Sequence, residues 1–347
     1  RPELRQSLTD YYRVDDMHNY DQLVRALGYL THKYGKLDRL DSLNEYWLET
    51  EARLRTDFNI PGIKLDRIGV IKRKSEMKRV YEEAGLKPAR GRVCRTESEL
   101  RDFIKEVGYP VVAKPDIGVG ATKTYKIECE NDLLAYLAEL PSVDYIIEEF
   151  IKGRIVTFDG LADAQGNVVF ASSLRYSIGV MDAVNLDTDI YYYTVRECGS
   201  ELQKAGLATV KAFDVRERFF HFEFFVLEDN RVVPLEVNVR PPGGFTIDMW
   251  NFSIDADVYS MWADLLVTGQ CEQVAEIPYF VNYVGRKDHI AYRHSHEDVL
   301  NKYDSLLIMH ERLNDVFARA LGNYGYIIRH PELKPLIEAA NYIQQRR

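Results

Sequence analysis

Residues 235–244 read LEVNVRPPGG, and in them Glu236, Asn238 and Arg240 alternate with Val237 and Val239. A period of two marks a strand with one apolar and one polar face. The run FFHFEFFVL at 219–227 has the same character, and Asp229 and Asn230 between the two runs predict a hairpin with a two-residue loop. In that register Glu223 stands directly opposite Glu236. Two like charges about 5 Å apart in an effective dielectric of about 20 repel by on the order of 3 kcal/mol. A divalent cation offsets such a term, because magnesium takes hard oxygen ligands from one or two carboxylates. Asn238 can add a carbonyl oxygen on the same face, and the planar fork of Arg240 suits a phosphate or carboxylate. The same alternation also fits the wet side of a half-exposed hairpin, so the rest of the chain must decide.

The chain has 347 residues, 46% of them hydrophobic and 12% aromatic, enough for two or three packed units. Its net charge of -9, with lysine and arginine spread throughout, excludes the basic face that nucleic-acid binding requires. Cys94, Cys129, Cys198 and Cys271 are far apart and form no CxxC pair, which argues against a disulfide framework and suits a reducing, cytoplasmic location. No apolar run is long enough to span a bilayer, and RPELRQSLTD is too polar for a signal peptide. The expected partners are therefore small molecules, with a homodimer left open.

Helix and strand patterns supply the organisation. Leu23, Ala26, Leu27 and Leu30 have helical spacing; KLDRLDSL at 36–43 reads as a short strand, and Ser42 with Glu45 as a capping box opening a second helix. KSEMKRVYEEAG predicts a helix stopped by Gly85, and Thr96 with Glu99 caps another. YPVVAKP and DYIIEEF read as strands, with a helix around 132–140 between them. Beyond residue 153 the pattern becomes antiparallel β, with a helix between 196 and 211 and the hairpin above. A strand YFVNYVG mixes with helices at the end, and His294 and His296 lack the third ligand that a metal site needs.

Over residues from about 70 to 265 the sequence resembles the ATP-grasp enzymes, motif by motif and in order. Lys74 opens the helix that runs into a Gly-Leu turn, and Lys114 ends YPVVAKP before the glycine-bearing IGVGATK, where Gly118 and Gly120 match the mobile phosphate hairpin. Two ammonium groups meet phosphate oxygens while glycines let the hairpin close over them. YIIEEFIKG resembles the adenine strand: Glu148 would accept from the exocyclic amine, with the Glu149 carbonyl and the Ile151 amide beside it. Glu223, Glu236 and Asn238 correspond to ligands of magnesium or manganese, and Arg240 to the arginine at the transferred phosphoryl group. Two departures stand out. Ala121 and Thr122 replace the usual residues after the second glycine, and Ile155 occupies the place where many members hold a ribose hydroxyl with glutamate. Each motif alone is weak; their order and spacing carry the resemblance.

The resemblance implies a fold of class α+β or α/β in which two α/β lobes clamp ATP. The expected divisions are a partial Rossmann-like unit at 1–70 whose earlier strands precede Arg1, lobes at 71–152 and 153–270, and a C-terminal α/β extension at 271–347. It also implies activation of a carboxylate as an acyl phosphate followed by attack of an amine, amino acids being one candidate pair. Arg175 is a candidate substrate clamp, and Gly243 and Gly244 candidate amide donors to a carboxylate or oxyanion. Two alternatives remain open at this point: a bicarbonate-activating enzyme of the biotin carboxylase or carbamoyl phosphate type, and an ATP-binding regulator without turnover.

Overall fold

The computed structural model describes residues 2–118, 124–139, 143–272, 274 and 276–347. The chain divides into two units, Arg1–Gly69 and Val70–Arg347.

In the first unit, helices Tyr20–Tyr34 and Leu48–Asp57 pack Leu23, Leu27, Leu54 and Ile60 together. The strand expected at 36–43 does not form, and no strand occurs among the described residues of this unit. That segment is held by side chains: buried Arg55 binds the Leu40 carbonyl and the Asp41 carboxylate, the latter at 3.0 Å. Nor do Ser42 and Glu45 make a capping box. Ser42 is bound to Glu51 through both its amide and its hydroxyl, and Asn44 caps the following turn through the Tyr46 amide.

The second unit contains two antiparallel sheets. The smaller is built from β1 (Gly91–Val93), β2 (Val111–Pro115), β3 (Tyr125–Ile127) and β4 (Tyr145–Glu149), in the order β1-β4-β2-β3. Helices Glu97–Val107 and Glu130–Ala138 bury Leu100, Phe103, Leu133 and Tyr136 against Val111, Ala113, Ile127 and Ile147. The Thr96–Glu99 capping box forms, and Gly85 ends the helix Lys74–Glu83 at φ +77°, in the left-handed region that glycine tolerates.

The larger sheet contains β5 (Arg154–Ala162), β6 (Val168–Tyr176), β7 (Tyr191–Val195), β8 (Arg218–Val226), β9 (Val232–Asn238), β10 (Phe280–Arg286), β11 (Leu307–Arg312) and β12 (Tyr324–His330). Their order is β11-β12-β10-β7-β6-β5-β8-β9, which leaves β9 at an edge. Helix Ser200–Ala212 crosses one face so closely that a Cβ on Gly206 would lie 2.2 Å from the Phe158 ring. Residues 246–268 form two helices, Thr246–Ile254 and Val258–Thr268, separated where Asp255 takes φ +50°. Both supply core residues against Leu161, Phe170 and Phe219.

Candidate active site

The β8–β9 hairpin places Glu223 directly opposite Glu236 and His221 opposite Asn238. The route to that register differs from the expected one. Leu227 donates to the Arg231 carbonyl at 2.9 Å, so the loop is three residues, 228–230, with Asn230 at φ +63°. This shifts the pairing by one, and a bulge shifts it back: Phe224 faces Pro234, Glu223 faces Glu236, and Leu235 is the extra residue. Pro234 has no N–H to lose at this edge. Val237 and Val239 are fully buried behind, leaving Glu236 and Asn238 on the other face.

Helix Lys74–Glu83 turns Lys74, Lys78 and Tyr81 inward along one stripe at i, i+4 and i+7. Lys74 Nζ lies 3.1 Å from Glu236 Oε1 and 3.5 Å from the Gly118 carbonyl. Sequence reasoning missed what fixes this helix. Its N-cap residue Arg73 gives no side-chain cap; Asp116, just past β2, accepts from the Ser75 amide at 2.8 Å and from the Ser75 hydroxyl at 3.0 Å. The Lys74 amide also donates to the Asp116 carbonyl at 2.9 Å. One aspartate thus joins the start of the Lys74 helix to the end of the Lys114 strand.

Lys114 Nζ and Lys78 Nζ each lie 2.7 Å from an oxygen of Glu148, on Oε2 and Oε1 respectively. Burial opposes the Glu148 charge, yet the two ammonium groups hold its pKa down at about 2. Burial likewise works against Lys114, but Glu148, with Glu236 and Glu223 beyond it, holds its pKa above the ordinary lysine value. For Lys78, burial together with the like charge of Lys114 prevails over Glu148 and lowers the pKa. Both Glu148 side-chain oxygens are thus engaged by lysines. The Glu149 carboxylate is similarly taken, by the Arg90 amide at 2.8 Å and the Arg90 guanidinium at 2.7 Å. Ile151 lies two residues beyond the end of β4.

A further chain of groups on β5 and β8 was not foreseen. Thr157 is the register partner of Glu223, and Asp159 that of His221. The Thr157 hydroxyl donates to Asp159, whose other oxygen lies 2.7 Å from His221 Nδ1, and His221 Nε2 is 3.7 Å from Glu223. Burial disfavours charge on His221, but Asp159 and Glu223 raise its pKa to about 9. Burial also opposes the Glu223 carboxylate, which His221, Arg240 and Lys114 nonetheless keep below the ordinary glutamate range. The signal was present as alternate polar residues in VTFDG and FFHFE, read there only as strand pattern.

Arg240 donates to its neighbour's Pro241 carbonyl at 2.9 Å and to Asn238 Oδ1 at 3.3 Å, which sets it at the end of the ledge. Gly243 and Gly244 are exposed in the turn that opens helix Thr246–Ile254; Gly244 has φ +66°, and a Cβ there would meet Leu321 at 2.9 Å. Arg175 is not brought to the ledge. It pairs with Val156, whereas the neighbouring Thr157 pairs with Glu223, so the two side chains belong to opposite faces of the sheet. Gly120 lies outside the described residues.

The donor set suits a hard dication: two facing carboxylates, an amide oxygen, and lysines placed for the charge of a polyphosphate. A family profile described as ATP-grasp domain matches residues 107–248. Over 203 residues, 54% of the chain, the sequence is 29% identical to the carbamoyl phosphate synthase large chain of Mycobacterium sp. (strain JLS), a match that takes in 17% of that protein. The chain thus spans about a sixth of the curated relatives it matches. Among solved structures, an L-amino acid ligase from Bacillus licheniformis superposes with a TM-score of 0.73 at 15% identity, covering 93% of this chain and 82% of that one. The biotin carboxylase domain of the Hydrogenobacter thermophilus 2-oxoglutarate carboxylase, in complex with MgADP, ADP and bicarbonate, gives 0.64 at 16% identity, covering 92% and 75%. The order of the two sheets, the lysine and carboxylate placement and the profile match agree: the chain has the ATP-grasp fold and carries an ATP-grasp domain.

Proposed function

We propose that this chain is an ADP-forming ligase that activates a carboxylate with ATP as an acyl phosphate and joins it to an amine, with amino acids as the substrate class. The observation that carries this reading is the Glu223–Glu236 pair with Asn238 beside it, met by Lys74 from the helix and faced by the Lys114–Glu148 pair. Magnesium or manganese held by Glu223, Glu236 and Asn238 would neutralise phosphate charge during the transfer. Lys114 and Lys74 supply cations to the phosphate oxygens, and Gly118 with Gly120 lets the backbone approach them. Lys78 keeps Glu148 paired when Lys114 turns to phosphate. Arg240 stabilises the charge of the group in flight, a role for a fixed guanidinium at the ledge end. The Glu148 and Glu149 backbone and the Ile151 amide read the base, while Ile155 gives the ribose an apolar neighbour. The exposed amides of Gly243 and Gly244 hold the substrate carboxylate or the developing oxyanion.

The similarity to the L-amino acid ligase favours amino acids as both partners. Activation of bicarbonate is the second reading, favoured by the carbamoyl phosphate synthase relatives. The complete set of lysines, carboxylates and arginine speaks against a regulator without turnover. The test is ADP release from ATP and magnesium across pooled amino acids, pooled small carboxylates, and bicarbonate, with mass spectrometry of the products. A pool that stimulates release and yields a mass equal to two components less water supports ligation. Stimulation by bicarbonate alone transfers the assignment to the second reading, and binding of ATP without stimulation by any pool rejects both.

A further inference from the structure

The face of the larger sheet turned away from Glu223 carries a separate cavity of about 330 Å³. Alternation along β5 puts Arg154 on the same face as Val156, and Val156 is the register partner of Arg175 on β6, so the two arginines are diagonal neighbours. Val156, Val195, Val226 and Val232 form an apolar floor, and the start of helix Ser200–Ala212 closes one side. Neither arginine makes a side-chain hydrogen bond or ion pair among the described residues. Ser173, 3% exposed and on the same face as Arg175, likewise has no partner for its hydroxyl among them. Gly199 at the helix N-cap has no side chain with which to satisfy the first-turn amides. Of the acidic groups that line it, Glu201 is paired with Lys204 at 2.7 Å, while Glu197, like Arg154, is exposed to solvent, which leaves the partly buried Arg175 as the inner charge.

Two arginines lining one cavity, an unpaired hydroxyl on the buried residue Ser173 and free helix amides over an apolar floor make a recognition set for an oxyanion with a small organic body. We propose that this cavity binds a small organic anion through a carboxylate or phosphate group, at a site on the opposite face of the sheet from the nucleotide ledge. This changes the role of Arg175: it would hold a second ligand and not the carboxylate undergoing activation. The inference stands on the cavity alone and does not need the ligase reading.

Cys198 lines the cavity and is half-buried, whereas Cys129 is exposed elsewhere, which gives a site-resolved readout on the intact chain. The rate of alkylation of each cysteine by N-ethylmaleimide is followed by peptide mass spectrometry, with inorganic phosphate or with acetate, against sodium chloride at equal ionic strength. The expected result is at least threefold slower labelling of Cys198 with one or both anions and unchanged labelling of Cys129. The anion that protects more identifies the group recognised. In Arg154→Gln and Arg175→Gln, checked for native circular dichroism, protection should disappear. Labelling of Cys198 that neither anion slows, or protection that persists in both variants, would overturn the proposal. Because no nucleotide or turnover enters the measurement, its failure is distinct from failure of the ligase reading.

Discussion

Lys74, in the first turn of its helix, and Glu236, on the edge strand of the larger sheet, approach to 3.1 Å between Nζ and Oε1. An ammonium group therefore already meets one of the two facing carboxylates, and the other, Glu223, has Arg240, Lys114 and His221 to favour its charge. The ledge is an alternation of charges set by two strands and one helix, so single neutralisations should have separable effects.

Glu236→Gln keeps the shape of a partly exposed side chain and removes one hard anionic ligand. Magnesium-dependent ATP turnover should fall by about a hundredfold or more, with the circular dichroism spectrum and thermal midpoint close to those of the wild type. Turnover at the wild-type rate in this variant would remove the metal assignment.

Arg240→Ala should act on the rate and spare the ground state. A loss of about 10²–10³ in kcat with ATP affinity changed only a few-fold is expected for a group that meets charge developing in flight. Steady-state kinetics beside equilibrium ATP binding separate the two, and an equal loss in both would make Arg240 a ground-state binding residue.

The paired lysines make Glu148 a source of acid sensitivity. Its pKa in the fold, about 2, is below the ordinary 4.5, so the stability it contributes is complete above pH 4.5 and is lost as pH falls towards 2. The shift corresponds to about 3 kcal/mol. Urea unfolding at pH 7 and across that window should show the loss in the wild type. In Glu148→Gln the slope over the window should flatten, while stability at pH 7 should drop by about 3 kcal/mol or more, because two buried ammonium groups lose their counter-ion.

Gly91 reports on the same pair by packing. A Cβ there would lie 2.8 Å from Glu148 Cγ, 3.0 Å from Lys78 Cε and 3.0 Å from the Ile147 carbonyl oxygen. Gly91→Ala should cost about 1–3 kcal/mol through this crowding, read as a lower thermal midpoint. An unchanged midpoint would mean that the Lys78–Glu148 pair yields without cost.

Strand alternation put Glu236, Asn238 and Arg240 on one face in the sequence, whereas Lys74 and Lys114 were legible only through the order and spacing of the motifs that carry the resemblance. The Glu223–Glu236 opposition was foreseen through a loop that does not form, and it holds because the bulge at Leu235 restores the register that the longer loop shifts. Contacts distant in sequence were not legible. Asp116 caps a helix that begins 42 positions earlier with Lys74, and nothing in either segment announces the other. Lys78 was not singled out in the sequence, although its place one turn after Lys74 brings it to Glu148. Arg175 was assigned by residue type at a strand end, and only strand order shows it on the far face. The strand expected at 36–43 failed because its alternating pattern has no neighbour to pair with among the described residues.

Acyl phosphate formation leaves a mark that no other use of ATP leaves. When the amine attacks, one oxygen of the activated carboxylate departs with the phosphate. The most direct measurement is therefore the transfer of oxygen-18 from carboxylate-labelled amino acids into inorganic phosphate during turnover with ATP and magnesium, read by mass spectrometry. The account predicts one labelled oxygen per phosphate released and per ADP formed. Phosphate carrying no label while ADP is formed and the amino acids are consumed would contradict it.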